Sequence, residues 1–156
     1  MRAFLIIGTF LLLMSSISPR DAHAKGPDEY QERMRLYKKV ETITQIPWYY
    51  LAAVDQYERN IRAVRKDLPK AESVIGIYFT PEKWAGPANP NPADENPAMI
   101  QFFGGMGVDG DGDGKASIKN DEDVLYAFAN YLLSYGIDHD NIKIGLWNYY
   151  HRDKTV

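Results

Sequence analysis

Cysteine is absent from this chain of 156 residues, and histidine occurs only three times. Without cysteine, the chain can form neither a disulfide bond nor a lipid-modified cysteine. His139 and His151 are the only histidines after residue 24, and they do not form a ligand pair, so the sequence disfavours a zinc site. The formal net charge is −3, whereas nucleic-acid binding usually shows a basic excess. No nucleic-acid partner is therefore expected.

Long apolar runs are also missing, except for one close to the N-terminus. The run at 4–14 is shorter than the roughly 20 residues that a membrane-spanning helix requires. It follows the basic Arg2 and precedes Ala22-His23-Ala24, which is the order found in secretory signal peptides. We therefore predict a signal peptide at 1–24, secretion, and no stable membrane span after cleavage; a retained anchor is the alternative. Residues 25–156 have the length of one domain.

Apolar residues recur at intervals of three and four along much of the remaining sequence, which predicts amphipathic helices. The predicted helices cover 29–43, 47–64, 121–135 and 140–151, with a further helix beginning near Pro81. Four prolines interrupt the pattern at 86–99, where an irregular loop is predicted. No repeat or second domain is visible, and the predicted fold class is mainly α.

The run Asp109-Gly-Asp-Gly-Asp-Gly114 has the ligand spacing of a calcium loop. Asp109, Asp111 and Asp113 occupy positions one, three and five of such a loop, and Lys115 can offer its backbone carbonyl at position seven. Because carboxylate and carbonyl oxygens are the ligands that Ca²⁺ prefers, we expect a structural calcium ion here. The alternative is a flexible acidic loop.

The last ligand of this loop is not where the standard pattern has it. Asn120 stands at position twelve, where a bidentate glutamate is usual. One of the next three residues can close the shell instead, but acidic side chains also stabilise the first turn of a helix without any metal. The sequence leaves both possibilities open for Asp121, Glu122 and Asp123.

Glu58 is a charged residue in a predicted helix whose other residues are largely apolar. A carboxyl group packed against apolar surface has a raised pKa, which suits a general acid. The alternative is a solvated ion pair with Arg62, four residues further along the helix. Asp55 is a candidate second carboxylate, a surface residue, or a neighbour that raises the pKa of Glu58.

Four segments, in order, resemble the lytic transglycosylase domain, in particular its membrane-bound type B branch. The first is Ile46-Pro-Trp-Tyr-Tyr-Leu-Ala-Ala-Val-Asp-Gln-Tyr-Glu58, and the second is Phe79-Thr-Pro-Glu-Lys-Trp84. The third is the acidic loop with Asp123 and Ala129-Asn-Tyr-Leu132, and the fourth begins at Leu146-Trp-Asn-Tyr149-Tyr-His151. Similar regions occur at the front of exported cell-wall metallopeptidases of the lysostaphin type.

The resemblance implies a lysozyme-like α fold with an EF-hand-like calcium loop, and an enzyme acting in the cell wall. The expected reaction is cleavage of the bond between N-acetylmuramic acid and N-acetylglucosamine in peptidoglycan glycan strands, giving 1,6-anhydro ends. Glu58 would be the single acid/base, with Tyr149 beside it. The candidate substrate-binding residues are Tyr78, Phe79 and Tyr150. The implied calcium ligands are Asp109, Asp111, Asp113 and Asp123, to which the loop spacing adds Lys115.

Several residues depart from the pattern of that family. Arg59 stands beside Glu58 where serine or threonine is usual, and it could pair with Glu58 and lower its pKa. Tyr78 replaces a glutamine and Tyr150 an asparagine, while 85–106 resembles an insertion. Two alternatives to an active enzyme follow: a cell-wall-binding module of the same fold that targets a wall peptidase, or a calcium-dependent interaction domain without sugar chemistry.

Overall fold

The computed structural model describes residues 27–151, and its regular structure consists of helices. No strand occurs among these residues, so the predicted mainly α fold class is confirmed. The predicted signal peptide lies outside the described residues. Within 27–151, no helix has both the length and the apolar character needed to cross a membrane. The helices are α1 (Pro27–Thr44), α2 (Trp48–Val64), α3 (Pro81–Ala85), α4 (Pro97–Phe102), α5 (Asp121–Leu133) and α6 (His139–Tyr150).

The short helix α4 was missed in the sequence, because its proline was interpreted as part of a loop. Pro97 occupies the first turn, where its missing N–H group costs no helical hydrogen bond. Asn96 precedes it and accepts hydrogen bonds from the N–H groups of Ala98 and Met99. The irregular loop predicted at 86–99 therefore ends one turn earlier than expected.

The core lies where α1 packs against α2 and against α5. Helix α5 packs against both α1 and α6, and its Leu125, Phe128 and Leu132 are fully buried. Trp84 of α3 is also buried, and its indole N–H donates to the carbonyl of Ala116 at 3.0 Å. Burying side chains of this size stabilises a fold by about 1.5–3 kcal/mol each. Helix α3 is thereby fixed to the central helices although it is only five residues long.

The irregular segment 65–80 connects α2 to α3 and is held by side chains of α2. The guanidinium group of Arg62 donates to the carbonyls of Pro69 (2.7 Å), Lys70 (2.6 Å) and Gly76 (2.9 Å). Arg62 is buried, so these bonds replace the water that its five N–H groups would otherwise bind. A loop without regular secondary structure thus obtains three of its hydrogen bonds from one side chain.

Two carboxylates, the buried Asp55 and the partly buried Asp121, bind the same segment. Asp55 is fully buried; it accepts the Tyr37 hydroxyl at 2.5 Å and the N–H group of Gly76. Asp121 accepts the N–H groups of Val74 and Ile75 at 3.1 and 2.9 Å. A Cβ atom on Gly76 would lie 2.4 Å from the Cγ atom of Arg59, so only glycine allows the backbone to approach α2 this closely.

We predict that Arg62→Met destabilises the fold by about 3 kcal/mol, because it leaves three carbonyl groups without their donor. Urea unfolding of the purified chain measures this change. Arg65→Met is the matched control, since Arg65 is exposed and, among residues 27–151, forms its ion pair with the exposed Asp67. Its cost should stay within about 0.5 kcal/mol. Equal losses for the two variants would contradict the role given to Arg62.

Candidate functional site

A cleft of about 200 Å³ lies above Glu58, between α2 and α6. Residues 65–80 and α3 form its other wall, so the segment anchored by Arg62 also shapes the cleft. Its walls combine aromatic rings with a few charged groups. The lining residues are Tyr57, Glu58, Ile61, Arg65, Leu68, Tyr78, Thr80, Lys83, Tyr149 and Tyr150.

The carboxyl group of Glu58 is buried at the floor of this cleft, with 7% of the residue exposed. The Tyr150 hydroxyl donates to its Oε1 atom at 2.6 Å. Burial raises the pKa of Glu58 above its ordinary value, although the Tyr150 hydrogen bond and the positive charges of Arg62 and Lys83 act in the opposite direction. The expected raised pKa is confirmed. Such a carboxyl group can donate a hydrogen bond at a pH where an exposed glutamate is ionised.

Neither arginine that was considered a partner of Glu58 forms an ion pair with it. Arg62 donates to the three carbonyls described above. Arg59 donates to Asp55 at 3.3 Å and to the carbonyls of Ser73 and Val74. The suggestion that Arg59 pairs with Glu58 is therefore wrong, because Arg59 points toward the loop rather than the cleft.

Asp55 is neither a second carboxylate of the cleft nor a surface residue. It is a fully buried residue of α2 that forms hydrogen bonds with Tyr37, Arg59 and the backbone N–H group of Gly76. Its negative charge makes a small contribution to the raised pKa of Glu58, which agrees with the third possibility considered for it.

Two of the three predicted substrate-binding residues line the cleft, and one does not. Tyr78 and Tyr150 form part of its wall. Phe79 is only 1% exposed and packs edge-on against Trp84, with ring centroids 5.4 Å apart. Phe79 is therefore a core residue, and the prediction that it touches a ligand is wrong.

Tyr149 lies beside Glu58 as expected, but its hydroxyl is already engaged. It donates to the carbonyl of Tyr78 at 3.2 Å, while the ring packs against Phe128 at a centroid distance of 5.0 Å. Burial and the nearby Glu58 charge raise the pKa of both Tyr149 and Tyr150, so both phenols stay neutral. The cleft therefore offers neutral hydroxyl groups around one carboxyl group.

Lys83 is a residue of the cleft that was not predicted from the sequence. Its ammonium nitrogen lies 3.6 Å from the ring centroid of Tyr149, a cation–π contact. Burial lowers the pKa of Lys83, while the charge of Glu58 opposes this shift. The available signal was its position in Phe79-Thr-Pro-Glu-Lys-Trp84, one residue before the buried tryptophan.

The acidic loop brings three of the five predicted metal ligands together, away from the Glu58 cleft. Carboxylate oxygens of Asp109, Asp111 and Asp123 lie within 4.8 Å of one another. Asp123 is fully buried at the start of α5, and it accepts the N–H groups of Gly110 and Ser117 at 2.7 and 2.8 Å. Three converging carboxylates fit a hard cation. The calcium site itself stays a prediction.

Asp113, a fourth predicted ligand, does not belong to this cluster. The carboxylate of Asp113 accepts the N–H group of Lys115 at 2.8 Å, and both residues are exposed. The Asn120 side chain, at the twelfth position, caps α5 by accepting the N–H groups of Glu122 and Asp123. Of the three acids that could close the loop, Asp123 is the one that belongs to the cluster.

Comparison with known proteins finds a relative in Bacillus subtilis (strain 168) that is named L-Ala–D-Glu endopeptidase. The two sequences are 56% identical over 152 residues, which is 97% of this chain and 47% of the relative. The chain thus spans about half the length of that protein. No protein-family model and no solved structure matches the chain.

This relative overturns the reaction expected from the resemblance. Its name describes cleavage of a peptide bond, whereas a lytic transglycosylase cleaves a glycosidic bond. The identification as a lytic transglycosylase domain, and the glycan-cleaving function and lyase class derived from it, are therefore wrong. The name is nevertheless that of an enzyme, which agrees with the more general expectation.

We predict that Glu58→Gln stabilises the fold at pH 8 and that this gain disappears near pH 4. Because the pKa of Glu58 is raised in the folded state, the folded protein binds more protons than the unfolded chain above about pH 4.5. Stability therefore falls as the pH rises through the folded pKa, and glutamine removes this cost. Thermal melting of both proteins from pH 4 to 8 measures the effect.

Glu32→Gln is the control for this measurement. Glu32 is partly exposed, and its hydrogen bond from Arg35 lowers its pKa, so its linkage has the opposite sign. Removing that carboxylate should give no gain in stability at pH 8. If the Glu58→Gln protein melts no higher than the unmodified chain at pH 8, burial does not destabilise the charged form of Glu58, which contradicts the prediction.

Proposed function

We propose that this chain serves the hydrolysis of peptide bonds in peptidoglycan outside the cytoplasm, and that the Glu58 cleft holds the stem peptide at its L-Ala–D-Glu bond. The observation that carries the proposal is the identity with the endopeptidase, which extends over 97% of the chain and so includes the cleft. D-Glutamate joined to L-alanine is a linkage of peptidoglycan stem peptides, which makes peptidoglycan the expected partner.

The chemistry of the cleft suits an amide ligand. Burial favours the protonated form of the Glu58 carboxyl group. In that form it can donate a hydrogen bond to a peptide carbonyl oxygen, which withdraws electrons from the carbonyl carbon. The rings of Tyr57 and Tyr150, 5.1 Å apart, give an apolar surface for a methyl group such as that of alanine. A volume of about 200 Å³ is smaller than the roughly 300–1,000 Å³ of a drug-sized site, so one or two residues of an extended ligand would enter.

The proposed contribution of the cleft is to bind and polarise the peptide. His139 contacts the Tyr50 hydroxyl through its Nδ1 atom at 2.5 Å and does not line the Glu58 cleft. Within residues 27–151, one group of acidic or histidine side chains could hold a metal ion. It consists of Asp109, Asp111 and Asp123. None of these three residues lines the Glu58 cleft.

We predict that the purified chain co-sediments with intact peptidoglycan and loses this binding when an amidase has removed the stem peptides. Glu58→Gln should weaken binding at pH 5 only slightly, because glutamine also carries a donor and an acceptor. Glu58→Ala should weaken it about tenfold or more, since it removes the hydrogen bond to the peptide. Sedimentation with labelled peptidoglycan gives the apparent affinity.

Glu32→Ala on α1 is the control and should bind as the unmodified chain does, because Glu32 lies outside the cleft. Mass spectrometry of the soluble fraction shows whether new amino-terminal D-Glu appears as a result of peptide cleavage. Equal binding to peptide-free glycan strands and to intact peptidoglycan would contradict the proposal. So would unchanged binding of Glu58→Ala.

We further propose that the acidic loop holds a structural Ca²⁺ ion through Asp109, Asp111 and Asp123. The support is the convergence of their oxygens and the buried position of Asp123 at the start of α5, where it joins loop and helix. Asp113 and the Lys115 carbonyl would then be peripheral. Bound at this position, the ion would fix the loop to a core helix.

We predict that Ca²⁺ raises the melting temperature of the chain and that a chelator reverses this. A ligand that binds only the folded state stabilises it by about 2.7 kcal/mol at a hundred times its Kd. Asp111→Asn should reduce the shift strongly, whereas Asp67→Asn, on an exposed residue of the 65–80 segment, should not. Identical melting curves with calcium and with chelator would contradict the calcium site.

A further inference from the structure

Three charged residues line the Glu58 cleft, and their partners differ. Glu58 is bound by Tyr150. Arg65 forms two hydrogen bonds to the carboxylate of Asp67, so its charge is already compensated. Lys83 makes no ion pair among the described residues, and its ammonium group rests on the ring of Tyr149. Lys83 is thus the cation of the cleft that remains available to a ligand.

The position of Lys83 is fixed more firmly than that of a typical exposed lysine. It lies in α3, whose N-cap Thr80 accepts the backbone N–H group of Lys83 at 3.3 Å. The next residue is the buried Trp84, which ties the helix to the core. Because the Lys83 side chain is exposed on one side and lies on Tyr149 on the other, a ligand entering the cleft meets its ammonium group.

The charge of Lys83 matches the chemistry of an L-Ala–D-Glu ligand. Glutamate has two carboxyl groups, and a peptide chain that continues through one of them leaves the other beside the L-Ala–D-Glu bond. That remaining group is an anion when free and neutral when amidated. Glu58 is the acidic residue on the cleft floor. Burial favours the neutral, protonated form of its carboxyl group, and in that form it does not repel the ligand's carboxylate.

We propose that Lys83 is the specificity-determining residue of the cleft and binds the free carboxylate of the ligand's D-Glu residue. The proposal rests on the proposed function, since it assumes that a stem peptide occupies the cleft. It names an acidic peptide as the preferred ligand and an amidated peptide as the disfavoured one. A lysine binds such a carboxylate as a point charge, so the preference depends on charge rather than on a fixed bidentate geometry.

The test compares two synthetic peptides that contain L-Ala–D-Glu and are extended through the same D-Glu carboxyl group. The other carboxyl group is free in one peptide and a carboxamide in the second. Isothermal titration of the purified chain should show about tenfold tighter binding of the acid, the size expected for one charge-assisted hydrogen bond. Lys83→Gln should reduce this preference to less than about twofold, while Lys83→Arg, which keeps the charge, should retain most of it.

Lys143→Gln is the matched control, because Lys143 is an exposed lysine of α6 that lines the neighbouring cleft beside Tyr50 and not the Glu58 cleft. It should keep the full preference for the acid. If both peptides bind the unmodified chain equally well, Lys83 does not distinguish the free carboxylate from the carboxamide. This result leaves the proposed function intact but overturns the inference. A preference that persists in Lys83→Gln overturns it as well. Binding of neither peptide overturns the proposed function together with the inference.

Discussion

The contact on which the rest of this site depends is the one between the Arg62 guanidinium group and three carbonyls of the segment 65–80. Glu58 and Arg62 are four residues apart on α2, so one helix supplies both the carboxyl group at the cleft floor and the anchor for the opposite wall. Burying a guanidinium group is costly unless its donors are used. Here the N–H groups of Arg62 donate to loop carbonyls that have no partner in a helix or strand. The arginine and the loop backbone therefore both obtain hydrogen bonds.

This arrangement explains why the carboxyl group of Glu58 is buried without an ion pair. The arginines that could have neutralised it are committed to the loop: Arg62 to carbonyls, Arg59 to Asp55 and to the backbone at 73–74. Tyr150 then supplies a neutral hydroxyl in place of a cation. A carboxyl group in such surroundings lowers the stability of the fold at neutral pH, which is typical of functional groups kept in an unfavourable state.

The sequence predicted the helices and the raised pKa of Glu58 because both leave a local signal. Periodicity marks α1, α2, α5 and α6, and an acid in a largely apolar helix stands out. The roles of Arg59, Phe79 and Lys83 have no such signal. Each depends on a segment 14 or more residues away: Arg59 on Val74, Phe79 on Tyr149, and Lys83 on that same tyrosine ring. Side-chain bonds to loop backbone are not periodic, so no pattern along the chain reveals them.

The failed prediction of the reaction has a related cause. Several residues that carried the resemblance to lytic transglycosylases are buried, among them Ile46, Phe79 and Trp84, and they report how a chain packs. Of the residues that departed from the family, Tyr78 and Tyr150 lie in the cleft itself, whereas Arg59 faces the loop. Buried residues can stay the same while the residues facing a ligand change. The core requires side chains of suitable size, whereas the cleft requires side chains whose chemistry suits the ligand. A match in buried positions is therefore evidence for architecture, whereas the substrate has to be inferred from the groups that face it. Here those groups are a carboxyl group whose pKa is raised by burial, neutral phenols, and an ammonium group without an ion-pair partner among the described residues.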